Sequence, residues 1–222
     1  MRQRHSPTLN VLLLAIVRYV STLPFVPYVT LGVLALLTYL HVSTPPRFIH
    51  GAAISASRML SLAPLSPRWL AVGLGSQLLH LDDNHLYYNA LSFLHKGAQL
   101  EHPASCGPVR FAALVAVLTA LTPVFYVLLA SMGSAFMPAL YSQQAVGFSG
   151  VIFALKVVLQ AGSTGEEVVG GMRVPARLAA WAELVAIQLA TPNASFLGHL
   201  AGICAGLLVV AIEKAAGGVR RR

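Results

Sequence analysis

The chain has 222 residues, 56% of them hydrophobic and only 10% charged, with a mean hydropathy of +0.71. Soluble domains carry about a quarter charged residues and no more than about half apolar ones, so this balance excludes a disordered, nucleic-acid-handling or ordinary cytosolic protein. The formal charge of +8, from 15 Lys and Arg against 7 Asp and Glu, falls between and beyond the apolar runs, where the cytosolic loops of membrane proteins carry theirs.

The first apolar run, Leu9–Val20, is too short to span and carries Arg18. It reads as a helix lying in the membrane interface. A secretory signal is the rival reading, because Met1–His5 is basic, but no small-x-small cleavage site precedes Pro24. Six spans are expected after it: Val26–Val42, His80–Leu100, Val109–Met132, Ala145–Leu159, Pro175–Ala190 and Phe196–Ile212. A spanning helix needs about 20 residues, which only Val109–Met132 meets comfortably. The others thin the bilayer locally or begin below its surface inside a bundle. The segment Ser43–Trp69, with Pro45, Pro46, Pro64 and Pro67, is expected to be a long functional loop. The expectation is an all-α membrane protein, with an N-terminal segment over 1–25, a membrane domain over 26–212 and a short basic tail over 213–222.

With the N-terminus in the cytosol, eleven basic residues fall on or near the cytosolic side: Arg2, Arg4, Lys96, Arg110, Lys156, Arg173, Arg177, Lys214, Arg220, Arg221 and Arg222. Only Arg47, Arg58 and Arg68 lie opposite. Both termini are therefore expected in the cytosol, with Lys96 and Lys156 snorkelling to that surface. Cys106 and Cys204 imply no disulfide framework.

Ionisable groups inside a bilayer are costly and become functional candidates. Three polar clusters open spans 2, 4 and 6: His80, Asp82, Asp83, His85 and Asn89; Gly147-Phe148-Ser149-Gly150; and Gly198-His199. By parity, all three lie at one depth on the side away from the cytosol. A serine hydroxyl becomes a nucleophile when a base accepts its proton, and histidine titrates in the right range, so Ser149 with His199 is the sharpest pair. Ser149 also opens a helix, whose free N–H groups and dipole favour developing negative charge. His85 and Asn89, four residues apart, share a helix face and can add donors. Gly198, Gly202 and Gly206 form a small-residue stripe that allows close helix approach. Each element also has a plain reading, as packing, as a structural histidine or as a water-exposed helix start with Asp as N-cap. Spacing alone leaves these open. Glu183, in mid-span, reads as a buried helix–helix hydrogen bond.

At these residues the chain resembles the rhomboid intramembrane serine proteases. The pattern is His85-x-x-x-Asn89 opening span 2, Gly147-x-Ser149-Gly150 opening span 4, and His199 followed by Gly202-x-x-x-Gly206 in span 6. His80 and Glu101 also match family positions. The segments are most like the endoplasmic-reticulum type, from about Pro27 to Leu208. The resemblance implies a six-helix rhomboid-like bundle and a serine endopeptidase whose Ser149–His199 dyad lacks an Asp partner. It assigns the oxyanion hole to His85, Asn89 and the Ser149 N–H, with Gly147 and Gly150 as support. Phe153 stands where most rhomboids have Tyr, and its ring is expected to stack on His199. It implies no cofactor and no metal, although His80, Asp82, Asp83 and His85 could suggest zinc. The expected substrates are single-span or polytopic membrane proteins with helix-breaking residues, cut in the endoplasmic-reticulum membrane as part of membrane-protein quality control. The lipid bilayer is the other partner, and no nucleic acid is expected. That type carries a tail that binds ubiquitin and a AAA ATPase; with a short tail here, this link is doubtful. The alternatives are a non-proteolytic rhomboid-like scaffold that holds membrane clients, and a small transporter, which would need repeats that are not seen.

Overall fold

The structure is a computed structural model that describes residues 6–217. Arg2, Arg4 and Arg220–Arg222, which weigh in the charge count, lie outside the described residues. In chain order the helices are α1 (Pro7–Val20), α2 (Tyr28–Ser43), α3 (Pro46–Ala52), α4 (Ala56–Leu60), α5 (Pro67–Leu78), α6 (Asp83–Glu101), α7 (Gly107–Gly133), α8 (Ser149–Gln160), α9 (Ala179–Ala190) and α10 (Phe196–Ala215). Among the described residues, α7 and α10 are each long and apolar enough to cross a membrane. The pair α2 and α3, bent by 117°, would count as a third.

The helix α8 is the hub. It is apolar on nearly every face, and Gly150 through Lys156 are all buried, as a helix without a polar face must be. At 12 residues it is about 18 Å long, well short of a hydrocarbon core of about 30 Å, so both ends sit inside the bundle. α10 packs along α8 and α7, while α6 packs on α2, α8 and α7. α6 is too polar for lipid on all sides, and it is held by burying Leu86, Ala90, Phe93 and Leu94 against the core. Its last residue, Glu101, accepts the N–H groups of Val29 and Thr30 at 2.8 Å each and so caps α2.

Four expectations change. The Pro-rich segment after α2 is not a plain loop: Pro46 and Pro67 each sit in a first helical turn, where the missing N–H costs nothing. Residues 166–175 add a small hairpin to the helical fold, β1 (Glu166–Val169) paired antiparallel with β2 (Met172–Pro175). Gly170 and Gly171 turn it with φ of +57° and +83°, as a two-residue primed turn requires. The span expected from Pro175 accordingly starts as a helix only at Ala179.

The third change concerns α1. An interfacial helix would lie across the end of the bundle. Instead α1 runs lengthwise beside α6: Ser6 Oγ donates to Asp83 at the start of α6, Leu12 is buried in the main core, and the Tyr19 ring meets His95 near the far end at 4.3 Å. The described start of the chain therefore lies at the opposite end of the bundle from the C-terminus of α10.

Lys156 does not snorkel. Only 5% of its side chain is exposed, and it is ion-paired with Glu183 of α9 and, at 3.1 Å, with Glu167 of β1. Lys96 of α6 also meets Glu183, at 3.5 Å. Glu183 thus ties α6, α8 and α9 together, and the hairpin supplies the second carboxylate. Removing one partner of a buried pair strands the other, at a cost of about 3–5 kcal/mol. Glu183→Ala is expected near the lower end of that range, since Glu167 still reaches Lys156. The double change Lys156→Met, Glu183→Leu is expected to recover only part of the loss, because Lys96 still lacks its carboxylate, as read by thermal unfolding in mild detergent.

Candidate active site

Ser149 is the first residue of α8, so its own N–H and that of Gly150 belong to the turn that has no intrahelical partner. The loop that delivers it is fixed from three sides. Ile54 and Ala145 exchange two backbone hydrogen bonds of 2.9 Å, Gly147 N–H donates to Ser76 O at 2.8 Å, and Tyr126 Oη donates to Gln143 O at 2.8 Å. Phe148, just before the serine, is buried edge-on against Phe93 of α6, with ring centroids 5.2 Å apart.

His199 lies in the first turn of α10, where Ser195 caps the helix by accepting from Gly198 N–H at 3.1 Å. α10 approaches α8 so closely that a Cβ on Gly202 would stand 1.9 Å from Gly150 O. That approach carries the imidazole to Ser149: His199 Nε2 and Ser149 Oγ are 3.0 Å apart. Phe153, one turn along α8, stacks on the His199 ring at 4.7 Å with the planes 29° apart. His199 Nδ1 is buried and has no partner among the described residues, so no carboxylate orients this ring. The one acid in mid-α9, Glu183, is committed to Lys96 and Lys156.

His85 and Asn89 lie against Gly147, two residues before the serine. Gly147 has φ of +120°, and a Cβ there would lie 2.6 Å from His85 Nε2 and 3.6 Å from Asn89 Nδ2. Both the backbone conformation and the space demand glycine. His85 Nδ1 accepts from Leu81 N–H at 3.4 Å, which leaves the proton of a neutral ring on Nε2, the nitrogen against Gly147. Asn89 Nδ2 is a buried donor with no acceptor among the described residues. A small pocket of about 20 Å³, lined by Ile54, Gln77, Thr122, Tyr126, Ser149 and Ser195 among others, adjoins the serine and is about the size one water needs.

All seven residues singled out from the sequence thus meet: Ser149, His199, His85, Asn89, Gly147, Gly150 and Phe153. Ile54, Ser76 and Tyr126, which hold the serine loop, carried no recognisable signal, because each acts through a backbone partner far away in sequence. His80 is fully buried and packs edge-on against His85 at 5.0 Å. Among the described residues no three His, Cys, Asp or Glu side chains come together as a metal ion would require.

A buried helical hub, a serine and histidine from two tightly packed helices and donors from a third define a rhomboid-type membrane protein. The Rhomboid domain family matches residues 69–215, and the chain belongs to the rhomboid family. It is 39% identical over 212 residues to rhomboid-related protein 4 of Homo sapiens, covering 93% of this chain and 64% of that protein. It is 40% identical to rhomboid-related protein 4 of Mus musculus, covering 82% and 56%. To mitochondrial rhomboid-like protein 14 of Arabidopsis thaliana it is 43% identical, covering 62% and 42%. The chain thus spans between about two fifths and two thirds of the length of these relatives.

Proposed function

We propose that the chain is an intramembrane serine endopeptidase acting on transmembrane substrates through Ser149 and His199. The observation that carries this reading is the 3.0 Å approach of His199 Nε2 to Ser149 Oγ at the start of a buried helix. Ser149 Oγ attacks the scissile carbonyl while His199 takes its proton, and His199 then returns that proton to the leaving amine. Water hydrolyses the acyl-enzyme by the same relay and restores the hydroxyl. The oxyanion accepts from His85 Nε2–H, Asn89 Nδ2–H and the Ser149 N–H, each donor of this kind being worth roughly 10²–10³ in rate. Phe153 holds the imidazole by its face in place of a carboxylate.

In this reading α2, α6, α7, α8, α9 and α10 are the six membrane segments. The C-terminal end of α10 faces the cytosol with Lys214, Arg110, Arg173 and Arg177, and the site opens toward the other side. The substrate is a membrane-spanning helix that unwinds locally, since a helical peptide bond is shielded from attack. The membrane is that of the endoplasmic reticulum, by resemblance to that type, and the task is quality control of membrane proteins.

The test is active-site labelling of the full chain in detergent with a fluorophosphonate probe. Wild type is expected to label, and Ser149→Ala and His199→Ala are expected not to. Equal labelling of wild type and Ser149→Ala would instead favour a non-proteolytic scaffold.

A further inference from the structure

We propose that α1 is a membrane-inserted helix lying beside α6 with its N-terminal end on the side of the dyad, and that Ser6 and His41 clasp Asp83 there to position His85. The second half rests on the protease reading above; the first does not.

The placement follows from contacts along the whole helix. Ser6 meets Asp83 at the first turn of α6, whereas Tyr19 meets His95 and Phe25 packs edge-on to His102 at 4.9 Å, just past the last turn. α2 runs the other way, from Thr30 at Glu101 to His41 at Asp83. α1 is therefore parallel to α6 and antiparallel to α2. Leu9, Leu12, Ile16 and Tyr19, at helical spacing, face the core. Val11, Leu13, Leu14 and Val17 are exposed, a face suited to lipid and not to water. The single charge, Arg18, falls in the last turn, where it suits the helix dipole, at the end of the bundle away from the dyad.

The clasp joins three helices at one carboxylate. Asp83 accepts from Ser6 Oγ before α1 and from His41 Nε2 near the end of α2, the latter at 2.8 Å. Asp83 is the first residue of α6, and its neighbour Asp82 caps the helix by accepting His85 N–H at 2.9 Å. The turn from Asp82 to His85 is thus a rigid hook, fixed to two other helices through Asp83, that sets where His85 Nε2 stands over Gly147. Asp83, Ser6 and His41 are positioning residues. They act on the developing oxyanion through His85, and a displacement of about 1 Å there can cost on the order of 10²-fold.

Two measurements separate the claims. In a Cys106→Ser, Cys204→Ala background, Ser6→Cys and Gly217→Cys are probed in sealed vesicles with a membrane-impermeant maleimide. The two positions are expected to label from opposite faces; labelling from the same face overturns the insertion of α1, whatever the enzyme does. For the clasp, kcat and KM are measured on a single-span reporter. Asp83→Ala is expected to lower kcat about 10-fold with KM nearly unchanged, Ser6→Ala to lower it several-fold, and Ser6→Thr to restore it. Unchanged kcat in Asp83→Ala overturns the clasp, as does a loss that tracks the unfolding temperature and is not recovered in Ser6→Thr. Failure of wild type to cleave any reporter or to label with fluorophosphonate strikes the protease reading, and the clasp with it, while the maleimide result stands.

Discussion

Ser149→Ala and His199→Ala are each expected to bring reporter cleavage to background, and the double substitution is expected to fall no further. The reason is the single hydrogen bond between them. A hydroxyl without its base, or a base without its hydroxyl, leaves the same incomplete device, so the losses do not add. In a soluble serine protease, removing the serine or the histidine alone costs about as much as removing the whole unit, on the order of 10⁶ in kcat. Here the Phe153 face and not a carboxylate meets the histidine ring, so a lower wild-type rate and a narrower measurable window are expected. Rate constants on a purified single-span reporter, with wild type diluted to calibrate the floor, make the comparison. Loss that multiplied in the double variant would mean that the two side chains serve separate functions.

The approach of Ser149 to His199 is legible because both stand in short side-chain motifs, each at the start of an apolar run. What escaped was carried by backbone or by long-range partners. The hairpin over 166–175 had its signal in Gly170-Gly171, yet only four residues stand on each side, and an apolar stretch follows at once. The prolines after α2 mark a long loop in the sequence, whereas Pro46 and Pro67 open helices, the latter behind a Ser66 cap. Lys156 looks like a snorkelling cation because nothing near it in sequence is acidic. Its partners Glu167 and Glu183 come from the hairpin and α9.

The N-terminal helix is the instructive case. Charge counting gives Arg2 and Arg4 full weight and puts the start of the chain in the cytosol. The count has no means of sensing that Leu9, Leu12, Ile16 and Tyr19 form a stripe that fits α6, nor that Ser6 and His41 converge on one carboxylate. Packing of a 14-residue helix is a tertiary term, and the proposed insertion of α1 rests on that packing outweighing a local charge rule whose energy per residue is small. The same reasoning explains Asp83, which the sequence presents only as half of an acidic pair at a helix start.

Gly202→Ala is expected to cost on the order of 10²-fold or more in kcat/KM, and to lower the unfolding temperature, although it adds one methyl. That methyl would lie 1.9 Å from Gly150 O and 2.6 Å from Gly150 C. These are backbone atoms of the helix that begins with Ser149, so no side chain can swing aside. Relief requires α8 and α10 to part by about 1 Å, and His199 stands on α10 only three residues before the methyl. The motion opens the Ser149–His199 contact directly, and errors of that size in a reacting geometry carry penalties of about this order. Overpacking adds about 1–3 kcal/mol of destabilisation. Gly206→Ala meets Ala154 O at 2.6 Å, one turn further from the dyad, and is expected to lose comparable stability but less activity. Gly32→Ala and Gly75→Ala, in α2 and α5, have nothing within 4 Å of the added carbon and are expected to be neutral or slightly stabilising, because alanine favours the helix by about 1 kcal/mol over glycine. Reporter kinetics and thermal unfolding on the four variants decide the matter. Wild-type cleavage by Gly202→Ala would mean that the spacing of α8 and α10 does not set the distance between the two reacting groups.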